Sequence, residues 1–129
     1  MILLDTHTLV WLASDTGKLS LAAQNAILAH PVSLHFSIVS AWEISLLVKR
    51  GRLILPFPPE EYLTRAIAHH RLIELPLTRR VAQASVSLPD IHNDPFDRIL
   101  IAECHERSLS LISRDAIIPG YPGVRVIWG

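Results

Sequence analysis

Five short apolar runs, "MILLD", "VSLHFS", "RLIELP", "LSLIS" and "VRVIW", punctuate the chain, and helical patterns fill most of the gaps between them. Runs this short and rich in Leu, Ile and Val suit strands buried on both faces better than helices. A strand joined to the next by a helix must cross over, which lays the strands parallel and puts helices on both sides of the sheet. The alternation therefore predicts an α/β fold, a three-layer α/β/α sandwich with a central, mainly parallel sheet. At 129 residues, with 50% hydrophobic and 19% charged, the chain has apolar surface for one core. A single domain over residues 1–129 is expected, and disorder is not.

Punctuation residues bound the helices. A helix runs through Val10 to Ala13, and "LSLAAQNAILAH" is a second that Pro31 ends. "SAWEISLLVKR" stops at Gly51, a suitable residue to follow a helix C-terminus. The turn "LPFPPEEY" launches a helix from Glu60 to His69. "TRRVAQASVSL" and "PFDRILIAECHERS" are helical, with the loop "PDIHND" between them.

Acids recur where these elements meet. Asp5 follows the first strand, and Asp115 follows "LSLIS" and suits a cap for "AII". Ser40 and Glu43 have the spacing of a capping box, while Asp94 precedes Pro95 as an N-cap with Asp97 at the third helical position. Capping explains each acid singly, at roughly 0.3–1 kcal/mol from the helix dipole. Shared placement suggests more: Asp5, Glu43 and Asp115 all lie beyond the carboxyl ends of strands, and in a parallel sheet those ends form one edge, where ligands bind. Asp97 shares a helix face with Ile101 and Cys104, which turns it toward the core's edge.

Converging carboxylates repel by about 4 kcal/mol per close pair at an effective dielectric near 20. Protonation or a divalent cation must offset this. Oxygen donors without a Cys or His pair favour Mg²⁺ or Mn²⁺ over zinc. Such a cation among carboxylates acts on phosphoryl oxygens and lowers the pKa of an attacking water.

Taken in order, "LLDTHTLVWL", "SAWEISLLVKRGRL", "NDPFDRILIAECHERSLSLISRD" and "VRVIW" resemble the PIN-domain family, specifically the VapC-type toxins of bacterial type II toxin–antitoxin pairs. The resemblance spans nearly the whole chain. It implies a metal-dependent endoribonuclease, Mg²⁺ or Mn²⁺ its cofactor and RNA its substrate, with a cognate antitoxin that blocks the site, often through a basic side chain, and a toxin homodimer. Asp5, Glu43, Asp97 and Asp115 match the family's four acids as catalytic and metal-binding residues. Thr6 matches the small hydroxyl residue after the first acid. Because "DPFDR" offers two acids, Asp94 is the alternative to Asp97 or a residue supporting it. Arg50, Arg98 and Arg114 are candidates for contact with RNA, weighed against ordinary salt bridges and, for Arg50, a solvated helix end.

Other features narrow the field. Lys+Arg and Asp+Glu balance at 12 each, so nonspecific nucleic-acid binding through a global field is not expected. Lone Cys104 allows no internal disulfide and fits a reducing, cytoplasmic setting; the acid-bearing N-terminus does not read as a signal peptide, and no run approaches the roughly 18 apolar residues of a membrane span. Arg79 and Arg80 at a helix start hint at an external anion. His7 and His92 lie near the acids, with surface or capping roles favoured. A haloacid-dehalogenase-type phosphatase needs Asp-x-Asp where this chain reads Asp5-Thr6-His7, and a receiver domain needs paired acids there. The remaining alternatives are a non-catalytic protein-binding module whose acids are caps, and a PIN nuclease of RNA processing.

Overall fold

The computed structural model describes all residues 1–129. Strands β1 (Ile2–Leu4), β2 (Leu34–Ser37), β3 (Ile73–Leu75), β4 (Ser110–Ile112) and β5 (Val126–Ile127) form one sheet in the order β3-β2-β1-β4-β5. Every pairing is parallel; Leu3 lies opposite His35 on one side and Leu111 on the other. Helices α1 (Thr6–Ser14), α2 (Leu21–Ala29), α3 (Ile38–Lys49), α4 (Pro59–His70), α5 (Arg79–Ser87) and α6 (Pro95–Arg107) make the connections.

Side chains on a strand alternate between faces, so both faces of this sheet are apolar. Ile2, Leu4, Leu34, Phe36 and Ile112 face a core closed by Leu9, Leu12, Ile44, Tyr62 and Leu63 of α1, α3 and α4. Leu3 and Leu111 face the opposite core, closed by Leu100, Ile101 and Cys104 of α6. The three-layer sandwich expected from the alternation is thus observed. Tyr62 is a polar member of the first core: its hydroxyl donates to the carbonyl of Val10 at 3.1 Å and shares a hydrogen bond with Ser14. Tyr62→Phe leaves that carbonyl and the Ser14 hydroxyl without the phenol, and should lower stability by about 1–2 kcal/mol in urea unfolding.

Two details differ from the expected boundaries. The cap of α3 lies three residues before the one expected, because the fully buried Ser37, not Ser40, caps it by accepting the amide of Val39 at 3.2 Å. The last strand keeps only two ladder residues of "VRVIW". Ser108 and Arg71 end α6 and α4 in the left-handed conformation, at φ 55° and 54°.

Candidate metal centre at the carboxyl edge of the sheet

Asp5 leaves β1 as the N-cap of α1 and accepts the amide of Thr8 at 2.9 Å. Its own amide donates to the carbonyl of Ile112 at the end of β4, and the Thr8 hydroxyl donates to that same carbonyl at 3.1 Å. These bonds tie the first acid to the strand that delivers the fourth. A second tie crosses to α3: the Thr6 hydroxyl donates to Ser40 Oγ at 3.0 Å, both residues being buried, which fixes the turn of α3 that leads to Glu43. Ser40 therefore serves the α1–α3 junction rather than a capping box.

Asp94 caps α6 by accepting the amide of Phe96 at 2.9 Å, and Asp97 follows in the first turn. Asp115 accepts the amides of Ile117 and Ile118 at 2.7 and 3.1 Å. The caps expected from Asp5, Asp94 and Asp115 are real, the Ser40–Glu43 box is not, and the four acids also meet. A cavity of about 450 Å³ at this edge is lined by Asp5, Thr6, His7, Trp11, Glu43, His92, Asp94, Asp97, Arg114 and Asp115. Both acids of "DPFDR" face it.

The cavity is electrostatically unbalanced. The ion pairs made by lysine and arginine join Lys18 to Asp15, Arg65 to Glu61 and Arg80 to Glu106, all away from the cavity; of the basic groups that line it, only His92 is within ion-pair distance of its acids. Asp97 carries the consequence: burial, with Asp94 and Asp5 adding repulsion, pushes its pKa up to about 7. Burial likewise raises Glu43, with Asp94 and Asp5 adding and Thr6 and His7 opposing. Asp115 moves the other way, because its partial burial is outweighed by hydrogen bonds from His92 and the amides of Ile117 and Ile118. Clustered oxygen donors with no lysine or arginine paired to them fit a hard divalent cation.

Among the arginines expected near RNA, Arg114 is exposed on the cavity rim. Arg50 caps the far end of α3 outside the cavity. Arg98 turns away from it. Its guanidinium donates to the carbonyls of Ser85, Val86, Leu88, Pro89 and His92 and to the Tyr121 hydroxyl, so it clasps the loop before α6 and has no free face for a phosphate. Arg80, read as a hint of an external anion, pairs with Glu106 at 3.2 Å. His92, discounted in favour of surface or capping roles, lies 2.9 Å from Asp115 Oδ2 and 3.1 Å from Asp97 Oδ2. Only its closeness in sequence to Asp94 pointed toward this position.

No helix of the chain is long and apolar enough to cross a membrane.

Known proteins resemble this chain in sequence and fold. The chain is 31% identical over 115 residues, 88% of its length and 86% of the relative's, to Ribonuclease VapC22 of Mycobacterium tuberculosis. It superposes with TM-score 0.66 on a chain of a toxin–antitoxin complex from Klebsiella pneumoniae, at 24% identity with 96% of this chain and 95% of that one covered. A chain of VapBC2 from Rickettsia felis, solved bound to a promoter DNA fragment, matches with TM-score 0.73 at 12% identity, covering 98% and 97% of the two chains. The PIN domain model matches residues 2–123, so the edge that gathers these acids is the edge of a PIN fold and the chain belongs to the PIN-domain family.

Proposed function

We propose that this chain is an endoribonuclease toxin of a toxin–antitoxin pair, which uses Mg²⁺ or Mn²⁺ to hydrolyse RNA phosphodiester bonds. The observation that carries the reading is the convergence of Asp5, Glu43, Asp94, Asp97 and Asp115 on one cavity with no lysine or arginine paired to them. The similarity to a VapC ribonuclease over 88% of the chain supports the reaction class.

Asp5, Glu43, Asp97 and Asp115 are the residues that would hold the ion, and Asp94 supports them from the cap of α6. When bound, a divalent cation supplies a Lewis acid that polarises a phosphoryl oxygen and eases ionisation of a water. Without one, Asp97 retains a proton near neutral pH, which limits repulsion among the acids. Thr6 and Ser40 keep α1 and α3 in register, so the carboxylates of Asp5 and Glu43 stay convergent. Arg114 makes no ion pair and stands on the rim, where it would take a phosphate oxygen of the RNA. Arg50 would meet the RNA backbone farther from the cleavage point.

The same negative cavity suits the basic side chain of a cognate antitoxin, and the Klebsiella toxin–antitoxin complex supports such a partner. Beside the cavity, Trp42 of α3 is exposed and stands edge-to-face against Phe96 of α6, an apolar surface fitting for a homodimer.

Incubation of the purified, antitoxin-free chain with total cellular RNA, with Mg²⁺ or with chelator, tests the proposal. Discrete cuts that sequencing maps in the Mg²⁺ sample alone are the expected result. A folded chain that cuts nothing with either Mg²⁺ or Mn²⁺ would return the acids to capping and favour the protein-binding module.

A further inference from the structure

His92 is the one basic group that touches the acids, and its hydrogen bonds define its chemical state. Nδ1 accepts the backbone amide of Asp94 at 3.1 Å. An accepting nitrogen carries no proton, so the single proton of the neutral ring sits on Nε2. Nε2 is the atom that meets Asp115 Oδ2 at 2.9 Å, with Asp97 Oδ2 3.1 Å away. A protonated ring nitrogen has no lone pair for a metal. His92, Asp97 and Asp115 bring potential ligand atoms within 4.8 Å of one another, but in this tautomer the histidine is a donor to Asp115, with Asp97 beside it, and not their fellow ligand.

The ring is also anchored from behind. The His92 amide donates to the hydroxyl of the buried Tyr121 at 2.7 Å, and Arg98 donates to that hydroxyl at 3.1 Å and to the His92 carbonyl at 3.2 Å. Two remote segments, α6 and the stretch before β5, thereby set the position of a loop residue.

Resting on the cation-site reading above, we infer that His92 is a positioning residue. It acts through Asp115, whose Oδ2 its Nε2–H holds 2.9 Å away and beside Asp97, while the Arg98–Tyr121 clasp holds the loop. Hydrogen-bond partners of ligating carboxylates typically contribute 10–100-fold to metal affinity. Glutamine at this position extends an amide nitrogen toward the place of Nε2 and replaces the donor; alanine does not.

The test is Mn²⁺ affinity of the metal-free chain by isothermal titration, for wild type, His92→Ala and His92→Gln, with imidazole ¹⁵N spectra of the wild type before and after Mg²⁺. Expected are affinity weakened about 10–100-fold in His92→Ala, largely restored in His92→Gln, and an Nε2 that stays protonated when Mg²⁺ is added. Equal affinity in wild type and His92→Ala, or failure of glutamine to restore it, would overturn the positioning role while leaving the cation site intact. Loss of the Nε2 proton on adding Mg²⁺ would make His92 a ligand and overturn it as well. A wild type that binds no Mn²⁺ would instead remove the cation site, and this role with it.

Discussion

Asp5→Asn should abolish Mg²⁺-dependent RNA cleavage, by about 10³-fold, while raising the thermal midpoint in chelator. The two effects have separate causes. A carboxylate donor to a Lewis-acid cation is worth several kcal/mol at the transition state, and each 1.36 kcal/mol is tenfold in rate. Asparagine keeps an oxygen for the Thr8 amide, so the cap of α1 survives. What disappears is one negative charge, 6% exposed, that raises the pKa of both Glu43 and Asp97. Asp5→Ala loses the cap too, and should be less stable than Asp5→Asn by about 1 kcal/mol. Differential scanning calorimetry beside single-turnover cleavage separates the effects. A variant that loses activity only because it unfolds would show a lowered midpoint instead.

The second large effect belongs to Glu103, which takes no part in the cavity. It is fully buried on α6, and neither of its carboxyl oxygens nor Nε of Arg107 has a hydrogen-bond partner. Burial pushes its pKa up to about 7, against the weaker pull of the Ser37 hydroxyl and Arg107. The folded state thus keeps a proton that the unfolded chain releases near 4.5. Stability from this group is complete below pH 4.5 and is lost as pH rises through about 7. A shift of that size corresponds to about 3 kcal/mol at 1.36 kcal/mol per unit. Because Asp97 titrates in the same window and direction in metal-free buffer, the measurement is best made in an Asp97→Asn background. There, urea unfolding should show stability falling between pH 5 and 7.5, and Glu103→Gln should flatten the fall. An unchanged slope in the double variant would show that Glu103 is charged in the folded state.

How much of this was legible beforehand follows from what each residue depends on. The sheet was legible because the pattern of β1, β2 and β4 is local: Leu, Ile and Phe bury on both faces whatever the distant sequence does. Asp5, Glu43 and Asp115 were legible because parallel strands end at one edge, and Asp97 because it shares a helix face with Ile101 and Cys104. The start of α3 was misplaced because Ser37 and Ser40 are equally good caps by residue type. Partners decide between them: the Ser37 hydroxyl accepts the Val39 amide, whereas Ser40 finds Thr6, 34 residues away in the chain. Arg98 was harder still, since its partners are backbone carbonyls, which leave no mark in the sequence. His92 depends on that clasp and on Tyr121, 29 residues distant, so a histidine in a loop gave no sign of standing between two acids.

On the proposed function, these acids form one cation site and are not merely five neighbouring carboxylates. Anomalous diffraction from a crystal of the antitoxin-free chain soaked in Mn²⁺ tests it most directly. An anomalous peak inside the cavity, coordinated by Asp5 together with Asp97 or its neighbours and absent from Asp5→Asn crystals, is the predicted result. An empty cavity at saturating Mn²⁺, with the carboxylates held only by their caps and by His92, would contradict it.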